Sequence, residues 1–196
     1  MKNNLFLFSI GLLALLSQAA AAQRIVQKTM PVSANQLVNL NLRFGDSIQV
    51  RYWDKSDLSV HISATINSGK LDDALVVTTN TTDSEVSIKT DFDKEKLKEG
   101  KAEDCPGDGH RWSTDQNGKT YYVCSKINYV VNLPRHAKLK IETINGNIDI
   151  QGATEAVFAK TISGFVDMSW PKSKGANVAM KTITGEVYSD MEIAFK

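Results

Sequence analysis

Three phrases near the end of the chain resemble one another: ETINGNIDI at residues 142–150, KTISGFVDM at 160–168 and KTITGEVYS at 181–189. Each contains T-I-x-G followed by an apolar residue two positions later, and their threonines, Thr143, Thr161 and Thr182, are 18 and 21 residues apart. Self-similarity at about 20 residues is typical of solenoid repeats, in which successive coils stack. The phrases therefore predict a short β-solenoid whose equivalent positions lie over one another.

Each phrase also changes the parity of its apolar residues. Leu139 and Ile141 occupy odd positions, whereas Ile148 and Ile150 occupy even ones. Because side chains alternate between the faces of a strand, such a slip would turn a straight strand inside out. The chain must therefore turn sharply within each phrase, and the predicted corner residues are the glycines Gly146, Gly164 and Gly185.

Two structures explain this turn. Asn145–Gly146 suits a tight hairpin, which would place the phrases in an antiparallel sandwich. Thr184–Gly185 suits a hairpin badly, because a β-branched residue resists positive φ. A corner between two strands of a solenoid coil fits all three phrases. Stacked coils would place Glu142 beside Lys160, Ile144 in a column with Ile162 and Ile183, and Asp149 over Asp167.

The rest of the chain indicates an all-β fold. Apolar residues alternate with polar ones across residues 38–52, 58–62 and 121–133, which predicts half-buried strands. We expect the early strands to pair in antiparallel fashion before the solenoid begins. Residues 91–104 are dense in charge, and Cys105 and Cys124 bound the segment that follows. We interpret residues 91–125 as one insertion.

The N-terminal residues predict export. Residues 1–22 combine Lys2, an apolar run at 5–16 and small residues at 19–22, the pattern of a cleaved signal peptide. Cleavage before Gln23 would leave one domain, residues 23–196, with no later membrane span and a periplasmic, cell-surface or secreted location. Of the 23 basic residues, Lys2 lies in the signal peptide, and the 22 that remain equal the 22 acidic ones, so nucleic acid is not an expected partner.

The cysteines, Cys105 and Cys124, are even in number, and in an oxidising compartment they predict a disulfide. A metal site would need two further ligands, and only His110 is close in sequence. Asp104, Asp108 and Asp115 match no calcium-binding pattern and are read as turn residues. We therefore predict no metal and no cofactor.

The segments YVVNLPRHAKLKIETINGNIDIQG (129–152) and LNLRFGDSIQVRYWDKSDLSVHI (40–62), with the two later T-I-x-G phrases, resemble the bacterial family of β-strand repeats known as putative adhesins. This family has long been catalogued as a domain of unknown function. The resemblance covers most of the chain after residue 22 except the insertion. It implies export, a right-handed β-helical fold and no catalytic residues to transfer.

The insertion holds the candidate binding residues His110, Arg111, Trp112 and Tyr122. Aromatic faces stack on sugars, and exposed loops carry binding residues. The competing interpretation is that the aromatic rings cover the disulfide and pack the insertion onto the coil.

The preferred function is a non-catalytic, exported interaction module of the cell envelope or surface, whose ligand is an unknown protein or glycan. One alternative is a carbohydrate-active enzyme that uses Asp149 and Asp167, since a retaining glycosidase needs carboxyl groups about 5–5.5 Å apart. A second is an envelope-stress or signalling accessory protein. The final strand predicted at residues 191–195 has no obvious cap, which motivates the hypothesis of edge-to-edge self-association.

Overall fold

The computed structural model describes residues 23–106, 110–116, 118–180 and 188–190. The prediction of a mostly β chain is confirmed, because helix is confined in these residues to one turn, α1 (Lys94–Leu97), and three short 3-10 turns. The strands are β1 (Arg24–Pro31), β2 (Leu37–Leu42), β3 (Ser47–Trp53), β4 (Asp57–Ile66), β5 (Leu75–Thr81), β6 (Glu85–Phe92), β7 (His110–Gln116), β8 (Lys119–Pro134), β9 (Lys138–Glu142), β10 (Asn147–Gln151), β11 (Val157–Lys160) and β12 (Val166–Met168).

The strands form two mixed sheets, neither of which is closed. The seven-stranded sheet has the order β1-β4-β8-β3-β10-β12, with β7 paired to β8, and the five-stranded sheet has the order β11-β9-β2-β6-β5. Strands β8, β3, β10 and β12 are parallel neighbours, as are β11, β9, β2 and β6. Antiparallel pairs lie at the other side of each sheet, where β1, β4, β5 and β7 are found.

The chain passes repeatedly from the five-stranded sheet to the seven-stranded sheet. It does so from β2 to β3, from β9 to β10 and from β11 to β12, and each passage forms one layer. Strands β6 and β8 form a further layer, since β6 lies beside β2 and β8 beside β3. The expectation that β2 and β3 belong to antiparallel strands is wrong, because their partners come from later in the chain and run parallel to them.

The register predicted for the first two phrases is confirmed. Glu142 pairs with Lys160, and Asp149 pairs with Asp167. The backbone N–H of Thr143 donates to the carbonyl of Lys160 at 2.9 Å. Strands β9 and β10 lie in different sheets, so the turn between them is a corner and the hairpin alternative is wrong.

The third phrase lies largely outside the described residues, which exclude 181–187 and 191–196. The predictions for Thr182, Ile183 and Gly185 and the strand at 191–195 fall there, as does the signal peptide at 1–22. Described residues 169–180, which precede the third phrase, contain no strand. The structure thus has parallel layers in two open sheets.

Glycine is required at the corners because neighbouring corners touch. Gly146 has φ +106°, and a Cβ there would overlap the carbonyl oxygen of Gly45 in the adjacent layer. Gly164 has φ +131°, and a Cβ there would overlap the carbonyl oxygen of Gly146. The positive φ and the close approach both exclude a side chain.

The two sheets enclose one apolar core. Inward positions alternate with outward ones along each strand, as the period of two predicts. The largest fully buried side chains are Tyr129, Leu40, Leu42, Ile48, Leu58, Ile62, Ile66, Ile88, Ile127, Leu133, Leu139 and Ile141. The buried Tyr129 hydroxyl lies 3.1 Å from the Thr90 hydroxyl, so the core satisfies this polar group.

Candidate functional site

The candidate site is the insertion that follows β6. In the other layers, a short corner of residues 43–46, 143–146 or 161–165 joins the two sheets. Between β6 and the part of β8 that pairs with β3, the chain instead forms α1, the 3-10 turn Ala102–Asp104 and the hairpin of β7 with the start of β8. The insertion therefore takes the place of a corner.

Helix α1 fixes the first part of the insertion. The Asp93 carboxylate accepts the backbone N–H groups of Glu95 at 3.0 Å and Lys96 at 3.4 Å, which caps the helix. The Asp93 N–H donates to the carbonyl of Ala74 at 2.8 Å. Leu97 is buried in the core, so this turn is anchored at both ends.

The predicted disulfide between Cys105 and Cys124 is confirmed. Beside it, the buried side chain of Asn67 donates to the carbonyl of Tyr122 at 2.9 Å and accepts the N–H of Cys124 at 3.1 Å. Asn67 lies in the turn after β4 at φ 49°. Sequence reasoning missed this residue. The cluster Asn-Ser-Gly at 67–69 indicates a turn, but nothing local indicates that it holds a strand far along the chain.

Asp104 is a second anchor. Its buried carboxylate forms an ion pair with Lys70 and accepts the backbone N–H of Lys101 at 3.3 Å. The hydrogen bond from Lys70 is the main cause that lowers the pKa of Asp104, although desolvation opposes it. The Ser68 hydroxyl also donates to the Asp104 carbonyl at 2.9 Å. Within the described residues, no group of three His, Cys, Asp or Glu side chains could hold a metal ion.

The hairpin of β7 with the start of β8 carries the candidate binding residues in a defined register. Trp112 pairs with Val123, Arg111 with Cys124 and Ser113 with Tyr122. His110 pairs with Ser125.

The Tyr122 side chain has an exposed fraction of 39%. Its backbone is fixed on both sides, because its N–H donates to Gly100 and its carbonyl accepts from Asn67. An aromatic side chain that is half exposed on a fixed backbone provides a rigid contact surface.

The Asp149 and Asp167 pair lies on the outward face of the seven-stranded sheet. The two residues are register partners on β10 and β12. Arg51 donates to the Asp149 carboxylate at 2.6 Å, and Gln151 contributes a longer contact at 3.3 Å. Asp149 is half-buried and Asp167 is exposed.

Among the described residues, no helix has the length and apolar character needed to cross a membrane. No protein-family model matches the sequence, and no curated protein matches it. One solved structure that resembles the chain is a "putative cell adhesion protein" from Clostridium sporogenes ATCC 15579. The two share 10% sequence identity at a TM-score of 0.46, and the alignment covers 75% of this chain and 61% of that chain.

Proposed function

We propose that the protein is an exported, non-catalytic interaction module of the cell envelope or surface. Its insertion between β6 and β8 makes the specific contact with an unknown protein or glycan. The observation that carries this proposal is the position of the insertion, which stands where the other layers need only a short corner.

The energetics of the insertion support a role beyond folding. Ordering a residue of backbone costs roughly 1–2 kcal/mol, and a corner of a few residues already joins the sheets elsewhere. The chain nevertheless fixes the insertion with the disulfide, the Asn67 hydrogen bonds and the Asp104 ion pair. A segment that is longer than the connection between the sheets requires and is held in one shape is suited to recognition.

The stacked layers form the scaffold for this contact. We propose that they are a short right-handed β-solenoid, as the family resemblance implies, and that the third phrase continues it. Parallel, in-register neighbours in both sheets support this proposal. The proposed export rests on the signal-like residues 1–22 and on the disulfide, which is typical of oxidising compartments.

The absence of catalysis is also a proposal. The Arg51 guanidinium already engages the Asp149 carboxylate, and Asp167 is exposed. Neither carboxylate has surroundings that favour a proton donor. If Asp149 and Asp167 do cleave a glycan, the activity will appear in a hydrolysis screen and be lost in Asp167→Asn.

The test uses residues 23–196 with the disulfide formed. Binding to a glycan array and to envelope extract is compared for the wild type, for Tyr122→Ser and for Val130→Ser. Val130 is a matched control, because it is similarly exposed, at 38%, on the part of β8 that pairs with β3. We expect a ligand whose binding is lost only in Tyr122→Ser. If every ligand bound the two variants equally well, the role of the insertion would be contradicted. Hydrolysis of a glycan that is abolished by Asp167→Asn would contradict the non-catalytic proposal.

A further inference from the structure

A groove of about 230 Å³ lies on the outward face of the five-stranded sheet, at the ends of β6, β2, β9 and β11. The charged residues of its lining are Arg43, Lys89, Lys160 and Glu142, and the neutral ones are Asn41, Thr143, Ile144 and Ile162. The groove is smaller than the pockets of about 300–1,000 Å³ that bury drug-sized ligands. It therefore suits one ring-sized unit of a longer molecule.

At the β6 side of the groove, two cations share one carboxylate. The Arg43 guanidinium lies 2.9 Å from Asp91 Oδ2, and the Lys89 ammonium lies 3.8 Å from the same oxygen. One negative charge faces two positive charges here, so an anion is favoured beside Lys89.

The β11 side repeats this imbalance. Glu142 forms an ion pair with Lys140 at 3.2 Å, and Lys160 is the register partner of Glu142 on the next strand. Within the described part of the chain, Lys160 has no carboxylate of its own at ion-pair distance. On the two sides together, four positive side chains face two carboxylates, which leaves an excess of two positive charges. The whole chain has a formal net charge of only +1.

The groove also offers neutral polar and apolar contacts. The Asn41 amide is half-buried in the lining and forms no hydrogen bond within the described residues, so its donors and acceptor are available. Ile144 and Ile162, which follow β9 and β11, supply the apolar contacts, and Ile162 has an exposed fraction of 71%.

We propose that this groove binds a carboxylate-bearing sugar unit of an acidic polysaccharide. The register places Lys160, Glu142, Asn41 and Lys89 in one row across four strands, so the carboxylate of the bound uronate ring meets one of the two lysines and that of a neighbouring ring meets the other. The rings also offer hydroxyl groups to Asn41 and an apolar C–H face to Ile162. An acidic peptide offers carboxylates on flexible stems and does not combine them with a hydroxylated rigid ring. The proposal names a ligand class for the proposed interaction module, and it concerns a surface other than the insertion.

The experiment measures binding of hexagalacturonate to residues 23–196 by calorimetry at low ionic strength. Fully methyl-esterified hexagalacturonate serves as the uncharged match, and hexaglutamate as the acidic peptide. We expect hexagalacturonate alone to bind. Lys160→Gln and Lys89→Gln should each weaken its binding about tenfold, because each removes one charge-assisted contact.

Lys138→Gln is the matched control, since Lys138 is an exposed lysine at the opposite end of β9. It should leave the affinity within about twofold of the wild type, and unfolding curves should show that all three variants are folded. Equal binding of the methyl ester or of hexaglutamate would overturn the proposal. So would the absence of hexagalacturonate binding, or an equal loss in Lys138→Gln.

The Tyr122→Ser variant separates this inference from the proposed contact of the insertion. It should bind hexagalacturonate like the wild type, because Tyr122 does not line the groove. A loss of hexagalacturonate binding in this variant would contradict a separate site in the groove. Failure of the groove proposal leaves the insertion test unaffected.

Discussion

At Gly146 two layers of the molecule come into backbone contact. The corner of β9 and β10 packs directly against the carbonyl of Gly45, and Gly164 repeats the relation one layer further on. Gly118, in the hairpin of the insertion, also has a positive φ of +76°, but a Cβ there would meet nothing within 4 Å. A comparison of substitutions at Gly146 and Gly118 therefore distinguishes the cost of steric overlap from the cost of backbone strain.

We predict that Gly146→Ala destabilises the protein by more than the roughly 1–3 kcal/mol expected for backbone strain alone, because the corner must also move away from Gly45. Gly118→Ala should cost about 1 kcal/mol. Urea unfolding of both variants measures the difference. Equal losses in the two variants would show that the layers do not touch at this corner.

At the scale of elements, the alternation of apolar and polar residues predicted β2, β3, β4 and β8 but not the strands with which they pair. The corner between β2 and β3 has the same place as the T-I-x-G corners, yet it reads Arg-Phe-Gly-Asp. There Phe44 takes the positive φ, at 62°, and Gly45 does not. Because a different residue carries the turn, sequence similarity alone could not show that this layer belongs to the stack.

Of the candidate site, the sequence predicted the disulfide but not the contacts between distant segments. Two cysteines, together with the predicted export, predict a disulfide bond, and Cys105–Cys124 is formed. The clamp by Asn67 depends on a contact between residues 55 positions apart, namely its bond to Tyr122. The groove likewise combines side chains from four strands, and such combinations exist only once the register is known.

The anchor at Asp104 gives the insertion a dependence on pH. Lys70 lowers the pKa of Asp104 in the folded state, so the unfolded chain, with an ordinary carboxyl pKa of about 3.9, takes up this proton first as the pH falls. The stabilisation is present above about pH 4 and is lost as the pH falls through the lower folded value.

We therefore predict that Asp104→Asn lowers the stability at pH 7 and that its difference from the wild type shrinks at pH 3. Urea unfolding at both values measures this. Asp54→Asn is the control, because the pair of Asp54 with Arg135 is exposed and should contribute little. A difference for Asp104→Asn that is the same at both values would contradict a role for its charge.

At the scale of the whole molecule, burial changes from layer to layer. Ile148 on β10 has an exposed fraction of 0%, whereas its register partner Val166 on β12 has 41%. Both residues stand at the same place in the repeated phrase. Position in the stack, rather than the phrase itself, sets how much each side chain contributes to the core.

We predict that Ile148→Ala costs about 2–5 kcal/mol, as expected for a large buried side chain. Val166→Ala should cost below about 1 kcal/mol. Chemical denaturation with a common slope compares the two. Similar costs would show that β12 is covered as well as β10 is.

The stacking of the first two phrases is measured most directly by scalar couplings across backbone hydrogen bonds in solution. In the structure the N–H groups of Thr143 and Ile148 donate to the carbonyls of Lys160 and Phe165, each at 2.9 Å. We predict couplings from the nitrogens of Thr143 and Ile148 to the carbonyl carbons of Lys160 and Phe165. Couplings that instead join β9 to β10 would indicate a hairpin at Gly146 and would contradict the layered fold.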